Sequence, residues 1–345
     1  MPLFQPAVKA QLKARVALDG PTGSGKTWTA LRWAQVLAGD DYERNEDGRA
    51  GIAFIDTERR SARLYAPHFI FDVLEFGKPY EVPKLIEALR AAEKAGYAVA
   101  VIDSWSHFWE GEGGVLDVVD AAAQRSGGNS FAGWKTGTPL QRNMVDEILD
   151  LDLHVIVTMR SKMEYVLTEY TDAKGTKRTR PEKLGMAPVQ RAGVEYEFQI
   201  VGDLDLEHRI TISKSRCDVL ADKVIQPHRE HEAAATFANW LATGEATVTP
   251  AQVEQLVALF ASIEDEETRA LLKRAFLDAY GRPEHLLAAQ LEPALAWVRE
   301  RVGQYAPQTD APEATAAAPE EPPSTTPADA LQRAKAAARK QPAGD

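Results

Sequence analysis

Cysteine is almost absent from this sequence: Cys217 is the single one among 345 residues. One cysteine excludes an internal disulfide and any metal cluster built from several cysteines. Long apolar runs are also missing, and residues 1–11 lack the apolar core of a signal peptide. Together these absences predict a cytoplasmic protein without a membrane-spanning segment.

Basic residues are in the minority, with 40 lysines and arginines against 51 aspartates and glutamates and a formal net charge of −11. This balance argues against DNA binding over the whole surface but leaves room for a local basic groove. The histidines show no metal-ligand spacing, and we interpret His107, His154 and His208 as structural. A hydrophobic content of 44% is typical of a globular protein with one large or two smaller domains.

What the sequence does contain is a glycine-rich turn between an apolar strand and a helix. Gly20 and Gly25 bracket four residues and are followed by Lys26 and Thr27, which fits the P-loop pattern G-x-x-x-x-G-K-[ST]. Glycine lets backbone N–H groups converge on phosphate oxygens, and the new helix adds its positive N-terminal end. Lys26 is predicted to reach the β- and γ-phosphates, and Thr27 to bind Mg²⁺. The residues predicted to bind a nucleoside triphosphate, most simply ATP, are Gly20, Pro21, Thr22, Gly23, Ser24, Gly25, Lys26 and Thr27.

Apolar runs alternate with helical periodicities along the first two thirds of the chain. This alternation predicts an α/β fold with a mostly parallel central sheet flanked by helices. Residues 111–137 are glycine-rich and mixed in pattern, and no single element is predicted for them. The predicted strands lie at residues 15–18, 51–56, 71–75, 97–103, 154–159, 195–201 and 209–213, and the predicted helices at residues 28–37, 60–65, 82–95, 140–149 and 233–241.

Three domains are predicted, with boundaries set by composition. Residues 1–245 form the α/β core, and residues 246–305 form a small helical module that starts with Thr249 as N-cap and Pro250 at the first helical position. Its predicted helices span 251–262, 266–280 and 283–302, the last one broken near Pro293. Residues 306–345 hold 7 of the 20 prolines and few large aliphatic side chains, which predicts a disordered tail rich in proline and alanine.

Two carboxylates are candidates to work with the P-loop. Asp103 ends a buried apolar run and is predicted to hold Mg²⁺ together with Thr27, as a Walker B acid does. The next residue is Ser104 rather than glutamate, so the base that activates water must come from elsewhere. Glu58 follows the strand at 51–56 and is the best candidate, while Glu110 and Glu112 are weaker alternatives.

Four segments in order resemble RecA-like recombination ATPases, specifically the phage-encoded single-strand annealing type. They are the P-loop, residues 53–58 (Ala-Phe-Ile-Asp-Thr-Glu), residues 101–104 (Val-Ile-Asp-Ser) and residues 210–216 (Ile-Thr-Ile-Ser-Lys-Ser-Arg). The resemblance implies that Glu58 is the catalytic base and that Tyr65 lies against the adenine. It further implies that Lys214 and Arg216 reach the ATP of a neighbouring subunit, in a ring or a filament.

The chain departs from RecA after the strand at 154–159. An Asn-Gln pair senses the γ-phosphate in RecA, whereas this chain has Thr158-Met159-Arg160. Met159 cannot make that hydrogen bond, so Thr158 or Arg160 must take over or the sensing is altered. RecA's accessory domains also have no recognisable counterpart, which favours the smaller phage type over full strand exchange.

A basic segment between residues 160 and 191 is the candidate DNA contact. It is predicted to form a polar β-hairpin, in which cations follow phosphates while Tyr165 and Tyr170 stack on bases of a single strand. Four interspersed acidic residues leave open the alternative of a solvated charged hairpin, and residues 111–135 are a weaker second contact. The predicted DNA-binding residues are Lys174, Lys177, Arg178 and Arg180.

These patterns predict an ATPase that needs Mg²⁺ and acts on single-stranded DNA during recombination or annealing, in the host cytoplasm if the chain is phage-encoded. The alternatives are a hexameric helicase or packaging-type DNA motor, and an assembly scaffold that ATP only switches. Expected partners are single-stranded DNA, further copies of the chain, and replication or recombination proteins bound by the C-terminal helices.

Overall fold

Nine strands form one sheet in the computed structural model, which describes residues 7–171 and 177–305. The central strands are buried on both faces, and successive side chains point to opposite faces of the sheet. In chain order the strands are β1 (Arg15–Gly20), β2 (Ile52–Asp56), β3 (Asp72–Glu75), β4 (Val99–Asp103), β5 (His154–Thr171), β6 (Lys177–Pro188), β7 (Ile200–Leu204), β8 (Ile210–Ser215) and β9 (Val224–Ile225).

The order of the sheet is β3-β2-β4-β5-β1-β7-β8-β9, with β6 paired to the far part of β5. The first six strands in this order are parallel to one another, whereas β8 runs antiparallel to β7, β9 antiparallel to β8 and β6 antiparallel to β5. The carboxyl ends of β1, β2 and β4 therefore meet at one edge, which β5 crosses at Arg160, and this is the edge where parallel α/β sheets bind ligands. The α/β architecture predicted from the alternation is confirmed.

Helices cover both faces of the sheet, and a separate group follows at the C-terminus. The helices are α1 (Lys26–Ala38), α2 (Val82–Lys94), α3 (Ser106–Glu110), α4 (Val115–Arg125), α5 (Ser130–Asp150), α6 (Glu230–Ala242), α7 (Pro250–Ala261), α8 (Glu266–Tyr280) and α9 (Leu291–Tyr305). One core cluster packs α1 and α6 on the sheet, and a second packs α2 to α5 on its other face. Trp33 and Trp105 are fully buried in these two clusters. Among the described residues, no helix has the length and apolar character needed to cross a membrane.

Residues 111–137, for which the sequence predicts no single element, hold α4 and the first third of α5. Their glycines serve close helix packing. A β-carbon added to Gly133 would lie 2.5 Å from the carbonyl oxygen of Val119, and one added to Gly137 would lie 2.2 Å from the Val119 side chain. The weaker DNA contact predicted at residues 111–135 thus falls on two packed helices.

The predicted polar hairpin is present, but it is continuous with the sheet. β5 continues past residue 159 and pairs with β6 from Ser161↔Pro188 to Thr171↔Lys177. The strand predicted at 195–201 is partly wrong, because Val194–Glu197 forms a 3₁₀ turn and β7 starts at Ile200. The Lys214 ammonium donates to backbone carbonyls in and just after this turn, those of Glu195, Tyr196 and Phe198.

The C-terminal helices share a core of their own, which runs from Val248 to Val298. The predicted N-cap is confirmed: Thr249 and Gln252 form a reciprocal capping box, with Pro250 in the first turn. The helix predicted at 283–302 with a break near Pro293 is divided in the structure: two short 3₁₀ turns come first, and α9 starts at Leu291. The tail predicted for residues 306–345 lies outside the described residues.

Candidate nucleotide-binding site

The P-loop connects β1 to α1 at the carboxyl edge of the sheet. Gly23 and Gly25 have φ angles of 86° and 90°, a left-handed region in which glycine is unstrained. A β-carbon on Gly20 would lie 2.6 Å from the Leu204 carbonyl oxygen and 2.7 Å from Ser24 Oγ. Both the backbone angles and the packing therefore require the glycines that the motif specifies.

Lys26 turns its ammonium back into the loop. Its Nζ donates to the carbonyl oxygens of Gly20 at 2.8 Å and Pro21 at 2.9 Å. Burial lowers the pKa of Lys26, and the nearby Asp103 and Glu58 carboxylates oppose that shift. The lysine is thus a desolvated cation at the mouth of the loop, where it would gain most from an anionic ligand.

Thr27 and Asp103, which were predicted to share a metal ion, are in direct contact. Thr27 Oγ1 donates to Asp103 Oδ2 at 2.7 Å, and the Thr158 hydroxyl donates to the other carboxylate oxygen. The Asp103 side chain is buried, and burial raises its pKa despite these two hydrogen bonds. A cation between Thr27 Oγ1 and Asp103 Oδ2 would favour the ionised form of the Asp103 carboxylate.

The residues present fit a magnesium nucleotide. Mg²⁺ in phosphate-transfer sites takes one or two protein oxygens and completes its shell with phosphates and water. Thr27 and Asp103 supply such oxygens, and the described residues contain no larger cluster of metal-binding side chains. Ser24 Oγ is buried in the loop without a hydrogen-bond partner among the described residues.

Glu58, the candidate base, pairs with Arg160. The Arg160 guanidinium donates from Nη2 to both Glu58 carboxylate oxygens at 2.9 Å and from Nε to one of them at 3.2 Å. Strand order explains the contact: Glu58 follows β2 and Arg160 lies on β5, so the pair bridges the end of β4, where Asp103 lies. Sequence reasoning considered Arg160 as a substitute phosphate sensor and as the first residue of the basic segment, and it missed this pairing.

A second group of side chains fixes the loop that carries Glu58. Thr57 Oγ1 accepts from the Ser104 backbone N–H at 2.7 Å and lies 2.6 Å from His107 Nδ1. The ring of Tyr80 stacks on His107 with centroids 4.8 Å apart. Because Thr57 and Ser104 follow β2 and β4 directly, this contact ties the segment of the candidate base to that of Asp103, the predicted metal ligand. His107 is therefore part of the support of the site, consistent with the structural role predicted for it.

Asp19 is a buried carboxylate that sequence reasoning did not identify. It pairs in register with Asp203 on β7, and Ser161 Oγ donates to its Oδ2 at 3.0 Å. Burial and the neighbouring Asp203 carboxylate raise the pKa of Asp19 to about 7. The carboxylate thus joins the residue before the P-loop to the first residue of the hairpin.

The structure also gives the positions of Tyr65, predicted to lie against the adenine, and of the two alternative bases. Tyr65 ends a 3₁₀ turn and lies beside Trp28 of α1, with ring centroids 6.4 Å apart. Of the alternative bases, Glu112 forms a solvent-exposed ion pair with Lys78 at 3.1 Å, and Glu110 ends α3. Neither glutamate has a hydrogen bond to the P-loop in the part of the chain that the structure describes.

Lys214 and Arg216 lie at the opposite edge of the sheet from the P-loop. Ser215 pairs with Ile200 at the amino end of β7, because β8 runs antiparallel. The Lys214 ammonium is held by the three carbonyls of the 3₁₀ turn, and the exposed Arg216 donates to the Tyr196 carbonyl at 3.4 Å. The two residues therefore do not meet the nucleotide site of their own chain.

The predicted DNA-binding residues divide between described and undescribed parts of the chain. Lys177, Arg178 and Arg180 lie on β6, paired with Thr171, Tyr170 and Thr168 of β5. Lys174 lies outside the described residues. The hairpin begins at Ser161, directly after Arg160, so its base adjoins the candidate site.

Comparison with protein-family models matches residues 12–234, more than half of the chain, to a family described as an AAA domain. A search of curated proteins finds no match. The matched segment contains the P-loop, the Thr27–Asp103 pair, Glu58 and the whole sheet. The chain therefore belongs to the AAA domain family, and its core is a P-loop ATPase-type domain.

Proposed function

We propose that this chain is a RecA-like ATPase that binds MgATP, hydrolyses it between copies of itself and acts on single-stranded DNA in phage-type recombination or annealing. The observation that carries the proposal is the base of the β5–β6 hairpin. Arg160 pairs there with Glu58, and Ser161 hydrogen-bonds Asp19 beside the P-loop. A ligand that moves the hairpin would therefore act on the nucleotide site through two direct contacts.

The hairpin suits a nucleic-acid strand by its composition. Its sequence combines lysines and arginines with Tyr165 and Tyr170. Basic residues neutralise phosphates while aromatic rings accept stacked bases, which is how proteins bind single strands without reading sequence. Lys174, Lys177, Arg178 and Arg180 are the proposed contacts.

The chemistry of the site is assigned to the chain's own residues. When bound, MgATP supplies a phosphoryl group that water can attack in line. Lys26 offsets charge on the phosphates, Thr27 and Asp103 hold the metal, and Tyr65 covers the base. Glu58 orients the attacking water and takes its proton, which requires its carboxylate to leave Arg160 because a bidentate pair occupies both oxygens.

A second copy of the chain completes the site. Lys214 and Arg216 lie at the opposite edge of the sheet from their own P-loop. They therefore act on a neighbour's nucleotide or on none. Arg216 is the stronger candidate, because its guanidinium has one long hydrogen bond while the Lys214 ammonium already holds three carbonyls. A head-to-tail arrangement of copies would form a ring or a filament.

The C-terminal helices are proposed to contact replication or recombination proteins. Large apolar side chains are exposed there among polar ones, including Val257, Leu271 and Leu277.

The decisive experiment measures ATP hydrolysis with and without single-stranded DNA and follows the assembly state in the same samples by light scattering. We expect single strands to raise both hydrolysis and assembly, and the protein to pair complementary strands without unwinding duplexes. Directional unwinding would indicate a helicase or packaging motor instead. Assembly driven by ATP without turnover would indicate a nucleotide-gated scaffold.

A further inference from the structure

The turn between β7 and β8, residues 205–209, packs against the outside of the P-loop. Its shape is set by Asp205, whose carboxylate accepts from the Arg209 backbone N–H at 2.9 Å and from the Arg209 Nε at 2.7 Å. The His208 N–H closes the turn on the Asp205 carbonyl oxygen at 3.1 Å. The turn is therefore a defined structure that can hold a side chain in a fixed place.

His208 occupies a strained position in this turn. Its φ angle is 62°, in the left-handed region that glycine and asparagine adopt readily and other residues rarely do. A backbone conformation of this kind persists where its surroundings impose it, and it is often found at functional positions. The question is what the imidazole provides that glycine would not.

The imidazole contacts the P-loop. His208 Nδ1 lies 3.1 Å from the carbonyl oxygen of Ser24 and must donate, because a carbonyl only accepts. The same nitrogen lies 3.2 Å from the point where a β-carbon on Gly25 would be. Leu204, just before the turn, brings its carbonyl oxygen against Gly20. The P-loop is thus contacted at both ends of its glycine-rich segment.

We propose that His208 is a positioning residue that aims the P-loop amides at the nucleotide. In a trans peptide the C=O and the following N–H point in opposite directions. By holding the Ser24 carbonyl on the outside of the loop, the imidazole turns the Gly25 N–H toward the inside, where phosphate oxygens bind. The proposal rests on nucleotide binding by the P-loop and is independent of any action on DNA.

The test compares MgATP affinity by titration calorimetry for His208→Ala, His208→Gly and His208→Asn. Loss of one hydrogen bond is expected to weaken binding about fivefold in the alanine and glycine variants. The His208→Asn variant should bind within about twofold of wild type, because its side-chain nitrogen occupies the place of Nδ1 and asparagine tolerates a left-handed backbone. His208→Gly should melt within about 3 °C of wild type, since relief of strain offsets the lost contact.

The matched control is His228→Ala. His228 also has a left-handed backbone, with φ of 68°, but within the described residues its side chain has no hydrogen bond to the P-loop. Its substitution should leave MgATP affinity unchanged.

Two results would overturn the proposal: wild-type affinity in His208→Ala and His208→Gly, or failure of His208→Asn to restore the affinity that alanine loses. Lys26→Ala separates this outcome from failure of the nucleotide site itself. If Lys26→Ala abolishes binding while the His208 variants bind normally, only the positioning role is wrong. If Lys26→Ala binds MgATP as wild type does, the assignment of the P-loop as the nucleotide site is wrong.

Discussion

Glu58, the proposed base, is held in an ion pair with Arg160. Both side chains are partly exposed, 31% for Glu58 and 43% for Arg160, so solvent screens the pair and its contribution to stability is small. The pair matters instead for access to Glu58, because the guanidinium occupies both carboxylate oxygens that a water molecule would need. Arg160 could exchange the Glu58 carboxylate for a phosphate, since arginine binds either anion in a bidentate manner.

Glu58→Gln tests the assignment of the base. The amide keeps the size of the side chain but cannot accept the proton, so ATP hydrolysis should fall at least about 100-fold. MgATP affinity should change less than about threefold, because Glu58 does not hold the phosphates. Steady-state hydrolysis and titration calorimetry measure the two quantities.

Glu112→Gln is the matched control for that substitution and should hydrolyse ATP at the wild-type rate. A wild-type rate in Glu58→Gln, or a large loss in Glu112→Gln, would move the base to another residue.

Asp19 predicts a specific pH dependence of stability. Its pKa is raised from 3.8 to about 7 in the folded protein, so the folded state binds a proton that the unfolded state releases. Its contribution to the free energy of unfolding is fully present below about pH 4 and is lost as the pH rises to about 7. Relative to wild type, Asp19→Asn should gain about 1.4 kcal/mol per pH unit across this range and then remain constant.

Urea denaturation of both proteins across that range measures the difference. Asp120→Asn, at an exposed position on α4, is the control and should follow the wild-type curve. Parallel curves for Asp19→Asn and wild type would show that Asp19 is ionised at low pH like an exposed aspartate.

At the scale of elements, continuous apolar runs made β1, β2 and β4 predictable, because strands buried on both faces need apolar side chains throughout. The P-loop was predictable from its glycine and lysine pattern, and the Thr27–Asp103 pair because parallel strands bring their carboxyl ends to one edge. The Glu58–Arg160 pair was not, since its partners are 102 residues apart and meet only through the strand order. The helices at residues 115–137 were not predictable, because glycine serves turns and close helix contacts alike and only the contacts with Val119 distinguish the two.

The β5–β6 hairpin should supply the salt-dependent part of single-strand binding. Charge reversal at Lys177, Arg178 and Arg180 removes three proposed phosphate contacts. For single strands each contact contributes about 0.7 to the slope of log affinity against log salt, so the slope should fall by about 2. Fluorescence anisotropy with a labelled oligonucleotide at several salt concentrations measures it.

Lys273→Glu with Arg274→Glu is the control for that change, because both residues are exposed and lie on α8 rather than on the hairpin. Equal loss of DNA affinity in the control and in the hairpin variant would mean that net charge, rather than the hairpin, determines binding.

At the scale of the whole molecule, the sheet order separates the two halves of the proposed catalytic site. The P-loop lies at the carboxyl edge of β1, while Arg216 follows β8 at the other edge. One copy of the chain therefore presents a nucleotide site on one side and the proposed arginine finger on another. Such a heterologous arrangement makes activity a property of the assembly and not of the single chain.

Mixing two inactive variants tests this arrangement. Lys26→Ala copies lose nucleotide binding but keep Arg216, whereas Arg216→Ala copies bind MgATP but lack the finger. Each variant alone should hydrolyse ATP at least about 100-fold more slowly than wild type, because an arginine finger contributes 10³ or more. In an equal mixture, about a quarter of the contacts join an intact P-loop to an intact Arg216, so about a quarter of wild-type activity should return. Absence of recovery, in samples where light scattering shows that the two variants assemble together, would exclude Arg216 as a finger acting between copies.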